Sequence, residues 1–99
     1  MKRSREEVLT TLQKHRERIH GYGVRSLGLF GSCARGEATE SSDLDFIVEF
    51  DKKSFDAYMD LKAFLEEIFQ CRVDLVLTNT IKPRIRSIIL NEAVHAPGL

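Results

Sequence analysis

The stretch Leu29-Phe30-Gly31-Ser32-Cys33-Ala34-Arg35-Gly36, followed by Ser42-Asp43-Leu44-Asp45-Phe46-Ile47-Val48, decides how the rest of this chain is read. Two apolar runs, 24–30 and 44–50, flank a segment of small and polar residues that includes Thr39, Ser41 and Ser42. Both runs have the length and composition of strands. In a strand, positions i and i+2 point to one face, so Asp43 and Asp45 reach the same spot while Leu44 and Phe46 face a core. Upstream, Gly31 lets the backbone approach a phosphate closely. Ser32 and the amides of a helical turn around Ala34 offer donors to phosphate oxygens. Arg35 lies one turn on, where its fork can hold a triphosphate tail or a departing pyrophosphate, and Gly36 lets the chain turn away.

Outward from this stretch, the pattern predicts a helix over 4–20, opened by Ser4 and Glu7 as a capping box and carrying Val8, Leu12 and Ile19 as an apolar stripe. Ser54 caps a second helix through 69, with Tyr58, Leu61, Leu65 and Ile68 on one face. A third strand is expected over 72–77, and Thr80 and Pro83 open a last helix whose buried side is Ile85, Ile88 and Ile89. Residues 91–99 fit either an extension of that helix or an edge strand. Phe46, Phe50, Phe55, Phe64 and Phe69 are expected in the core. The fold class is α/β (α+β): a small mixed β-sheet flanked by helices, in one domain spanning 1–99.

A third acid, Asp74, sits in the apolar run Val73-Asp74-Leu75-Val76-Leu77. An ionised group is costly among such neighbours unless it is paired or binds a cation. If the second and third strands are neighbours, Asp43, Asp45 and Asp74 converge. Three close carboxylates repel one another, and divalent cations relieve the repulsion. Hard oxygen ligands favour Mg²⁺ or Mn²⁺, held by a few carboxylates together with substrate phosphate oxygens. Two such ions can activate an attacking oxygen and steady a leaving phosphate. Taken singly, each piece has a plainer reading: Asp43 and Asp45 as a solvated loop, Gly31-Ser32 as a turn, Arg35 as a surface residue, Asp74 as an acid paired with Arg25 or Arg72. In combination, each supplies what another lacks.

Composition narrows the function classes. Fifteen basic residues balance fifteen acidic ones, whereas a protein that grips nucleic acid by its phosphates carries a basic excess. The local runs Lys2, Arg3, Arg5 and Lys82, Arg84, Arg86 read as solvated helix faces. No apolar run approaches a membrane span and no signal region follows the basic start, so a cytoplasmic chain is expected. Cys33 and Cys71 are too few and too isolated for a disulfide framework or a zinc site and read as reduced thiols. His15, His20 and His95 lack metal-ligand companions.

Gly31-Ser32, ten intervening residues, and Asp43-Leu44-Asp45 together resemble the signature of the DNA polymerase β-type nucleotidyltransferase superfamily. The fuller stretch quoted above, with Val73-Asp74-Leu75-Val76, resembles its minimal nucleotidyltransferase branch; the matching pattern covers 29–77. The resemblance implies Asp43, Asp45 and Asp74 as metal-binding and catalytic residues, with Asp74 assisting the incoming nucleophile. Gly31, Ser32 and Arg35 are the expected nucleotide-binding residues, ATP the substrate, and two Mg²⁺ (or Mn²⁺) ions the cofactor. It further implies an antitoxin that transfers AMP to a tyrosine of a HEPN-type ribonuclease toxin and silences it. Two other readings stay open: a non-catalytic antitoxin that acts by binding its toxin, and a transferase acting on a small molecule. Larger relatives append an acceptor-recognising domain, and a separate protein that completes the acceptor side is expected here.

Overall fold

The computed structural model describes residues 4–36, 43–52 and 54–99. Ser4 caps α1 (Arg5–Lys14), its hydroxyl accepting from the Glu7 amide at 3.1 Å. The single helix expected over 4–20 is two: the chain breaks at His15 and resumes as α2 (Arg16–Gly21). His15 Nδ1 donates to the Thr11 carbonyl at 2.9 Å, and its ring packs edge-on against Phe64. The break keeps the apolar stripe on the sheet, since Val8, Leu12 and Ile19 are all buried.

Strands β1 (Val24–Phe30), β2 (Leu44–Phe50) and β3 (Val73–Leu77) form where the apolar runs predicted them. Helix α3 (Phe55–Phe69) starts on the Ser54 cap and carries the chain from β2 back to β3, which therefore pairs parallel to β2. A 3₁₀ turn (Thr78–Thr80) leads to α4 (Pro83–Glu92) and then β4 (Val94–His95). Both readings of the last residues hold in part, since the helix runs to Glu92 and the edge strand follows it. The sheet order is β3-β2-β1-β4, with β1 antiparallel to both its neighbours. This is the mixed sheet the sequence reading expected.

Alternation divides the sheet. Leu27 and Leu29, Leu44, Phe46 and Val48, and Val73 and Leu75 point to one face and join Leu12, Ile19, Leu61, Leu65 and Phe69 in the core. Each such side chain removed from water contributes roughly 1.5–3 kcal/mol. Asp45, Ile47 and Glu49 alternate to the other face. No helix among the described residues is long and apolar enough to cross a membrane.

Two core expectations are corrected. Ile85 and Ile88 of α4 are 46% and 62% exposed, Ile89 is half-buried, and no residue of α4 is buried. The reason is topological: α4 carries the chain from β3 at one edge of the sheet to β4 beyond β1 at the other, and no residue of it becomes buried on the way. Phe55, in the first turn of α3, is 77% exposed, whereas Phe46, Phe64 and Phe69 are buried and Phe50 packs against the core.

Candidate active site

The turn after β1 forms as expected. Gly31 and Gly36 adopt φ of +79° and +75°, the left-handed region that glycine tolerates best. The Arg35 amide donates to the Gly31 carbonyl at 3.2 Å and the Gly36 amide to the Cys33 carbonyl at 3.1 Å. Cys33 and Ala34 are buried and fix the turn to the core. Arg5 adds a tie from α1, its Nη1 donating to the Ala34 carbonyl at 3.2 Å. Ser32 is half-buried within this turn and Arg35 is exposed. The expected polar link at 37–42 lies outside the described residues.

Pairing across the sheet brings the acids to this turn. Phe30, the last residue of β1, pairs with Asp45, and Asp45 is the parallel partner of Asp74. Gly31 lies directly against Asp45: a Cβ at Gly31 would overlap the Asp45 carboxylate and come within 3.0 Å of its Cγ. The glycine was read from sequence as a place for phosphate to approach. The structure adds that no other residue leaves room for the Asp45 side chain.

Asp45 is the electrostatic centre of the group. Its carboxyl is held above the ordinary aspartate value first by desolvation, then by the charges of Asp74 and Asp43 and by a hydrogen bond with the Asp74 side chain, while Arg35 opposes the rise. Asp74 is not the core acid of the plainer reading. It is exposed, on the edge strand β3, because alternation turns it away from buried Val73 and Leu75.

Among the described residues, no three His, Cys, Asp or Glu side chains form a ready-made metal cage. The donor set still suits a hard cation. Mg²⁺ characteristically takes one or two protein carboxylates and completes its shell with phosphate oxygens and water, and, after desolvation, the charges of Asp74 and Asp43 raise Asp45, a repulsion that a bound cation would relieve. Asp43, Asp45 and Asp74 are the residues that would hold it.

Two neighbours were not legible in the sequence. Glu92, the last residue of α4, forms an ion pair with Arg35 Nη1. His95, on β4, lies over Gly28 and hydrogen-bonds through Nδ1 to the Leu27 carbonyl at 2.9 Å. Nothing in the spacing of either residue marked it, since both contacts depend on β4 returning beside β1. A cleft of about 360 Å³, lined by Val48, Phe50, Leu77, Thr78 and Arg86 among others, lies at the opposite ends of β2 and β3 from the acids.

Residues 8–95 match the model of the nucleotidyltransferase domain family. The chain is a member of that family. It is 38% identical over 92 residues to the protein adenylyltransferase MntA of Thermococcus cleftensis, spanning 91% of this chain and 93% of that one. A protein of Methanocaldococcus jannaschii assigned the same activity is 39% identical over 94 residues, spanning 90% and 94% of the two chains. Among solved structures, one assigned as a minimal nucleotidyltransferase superposes with a TM-score of 0.73 at 38% identity, covering 87% of this chain and 93% of that one. A toxin–antitoxin structure with AMP-PNP shares the fold, with a TM-score of 0.71 at 20% identity over 88% of this chain and 73% of that one. The nucleotidyltransferase is thus of the minimal, polymerase β-like type, and its sheet is the one the resemblance implied.

Proposed function

We propose that this nucleotidyltransferase moves AMP from Mg²⁺-bound ATP to a hydroxyl of a partner protein. We further propose that the partner is a HEPN-type ribonuclease toxin, for which this chain is the antitoxin. The observation that carries the reading is the row formed by Asp74, Asp45 and the Gly31 turn across three neighbouring strands. Phosphate donors and acids lie side by side there, as transfer at an α-phosphate requires. The acceptor class is supported by the protein adenylyltransferases to which the chain is similar over nine-tenths of its length.

In the proposed step the acceptor oxygen bonds to the α-phosphorus. The bond from that phosphorus to the oxygen bridging the β-phosphorus breaks, and pyrophosphate leaves with that oxygen. The ions, when bound, supply the positive charge that lets three acids and a triphosphate share one site. Asp43 and Asp45 would hold them. Asp74 faces the incoming hydroxyl and takes up its proton. Ser32 and the amides of the turn grip the phosphates, with Arg35 at the leaving end. Partner recognition draws support from the exposed apolar residues Ile85, Ile88 and Leu90 of α4, which a docked protein would cover.

The test is intact-mass measurement of the HEPN-type partner after incubation with ATP and Mg²⁺. The native chain should add one or more AMP units, and an Asp43→Ala/Asp45→Ala double variant none. If neither chain labels the partner yet both silence its ribonuclease equally, a binding antitoxin replaces the enzyme reading. Labelling of a small molecule in place of the protein would move the acceptor class.

A further inference from the structure

The proposed site has a feature that the motif does not contain. The row of residues at one end of the sheet runs Asp74 on β3, Asp45 on β2 and the Gly31 turn after β1. It continues one strand further. β4 runs antiparallel to β1 with Val94 opposite Leu29 and His95 opposite Gly28. Stepping back along the chain from Val94 therefore leads toward Phe30 and the turn, and it is there that α4 ends at Glu92. Glu92 meets the Arg35 guanidinium at that point, and both side chains are partly shielded, 31% and 46% exposed.

Arg35 belongs to the turn whose first residue, Gly31, packs directly against Asp45. An exposed arginine on a six-residue turn has many rotamers, and fixing one costs entropy. Glu92 offsets that cost by holding one arm of the fork. A guanidinium has five donors in a rigid plane, so it can keep a carboxylate on one edge while presenting another to phosphate.

We infer that Glu92 is a positioning residue of the nucleotide site: it holds Arg35 at the end of the acid row so that the guanidinium meets the triphosphate of bound ATP. This rests on the ATP-dependent reading above. It also means that α4 connects its exposed apolar side, at Ile85 and Ile88, to the nucleotide through its own last residue.

The test is steady-state transfer from Mg·ATP, with direct ATP binding by calorimetry alongside, for Glu92→Gln, Glu92→Asp, Arg35→Ala and the Glu92→Gln/Arg35→Ala pair. Glu92→Gln should raise KM for ATP about threefold to tenfold while kcat changes less, the signature of lost binding rather than lost chemistry. Glu92→Asp should recover part of the loss. In the Arg35→Ala background, Glu92→Gln should add nothing, because its effect passes through the arginine. An unchanged KM in Glu92→Gln or in Arg35→Ala, or effects of the two that multiply, would overturn the inference while leaving the transferase reading intact. A native chain that binds no Mg·ATP would overturn both. Melting temperature measured on the same samples separates a folding defect, which lowers stability and the active fraction, and so apparent kcat, while leaving KM unchanged.

Discussion

The two sides of strand β2 carry opposite burdens. Leu44, Phe46 and Val48 are buried in the core, and Phe46 stacks on Phe69 with ring centres 5.8 Å apart. One residue out of phase, Asp45 lies among acids, with its carboxyl held above its ordinary value. The strand thus separates stability from chemistry by its two-residue period alone. Packing on one side supplies the rigidity that keeps a mutually repelling group in place on the other.

That division is tested most strongly by substituting either side and measuring both properties. Asp45→Ala should lower AMP transfer by roughly a thousandfold or more, since it removes a group on which the charge balance of the reaction depends. The fold should persist, as judged by circular dichroism and melting. Phe46→Ala should do the reverse first: a loss of about 3–5 kcal/mol of stability, read by denaturant titration, with activity falling only as the folded fraction falls. A normal transfer rate in Asp45→Ala, or an unchanged midpoint in Phe46→Ala, would break the comparison.

Gly31→Ala belongs to both sides at once. Its positive φ and its contact with Asp45 predict a cost of roughly 1–3 kcal/mol together with impaired transfer, because the new methyl must displace the carboxylate. The smallest expected effect is the most specific. Asp45→Asn should raise the melting temperature at neutral pH by roughly 2–4 °C, because it removes one charge from a group of mutually repelling acids. The sign follows from linkage: a carboxyl whose folded value is raised favours the folded state below its unfolded value, and that contribution is lost as pH rises through the folded one. The native chain and Asp45→Asn should therefore converge in stability in acid and separate toward neutral pH. Parallel curves would remove the repulsion from the account.

Much of this was readable in advance, and apart from the local helix break at His15 the exceptions have a common cause. The strands, the Ser4 and Ser54 caps and the turn at Gly31 depend on neighbours within a few residues. The adjacency of Asp45 and Asp74 needed only that β2 and β3 be paired. What failed depended on where an element goes after it forms. Helices α3 and α4 are both amphipathic, yet α3 buries Leu61, Phe64, Leu65 and Phe69 and α4 buries nothing. Periodicity reports that a helix has an apolar side and is silent on what covers it. Phe55 looked like core because it is aromatic. The Arg35–Glu92 pair spans 57 positions of sequence and exists only because β4 returns beside β1.

The central claim, that these acids and this turn make one site for a metal-bound triphosphate, is tested most directly by calorimetric titration of ATP into the native chain with Mg²⁺ and again with chelator. The charge on both partners predicts at least about tenfold tighter binding with the metal, since carboxylates and triphosphate otherwise repel across a few ångströms. Equal affinity in the two conditions would contradict it.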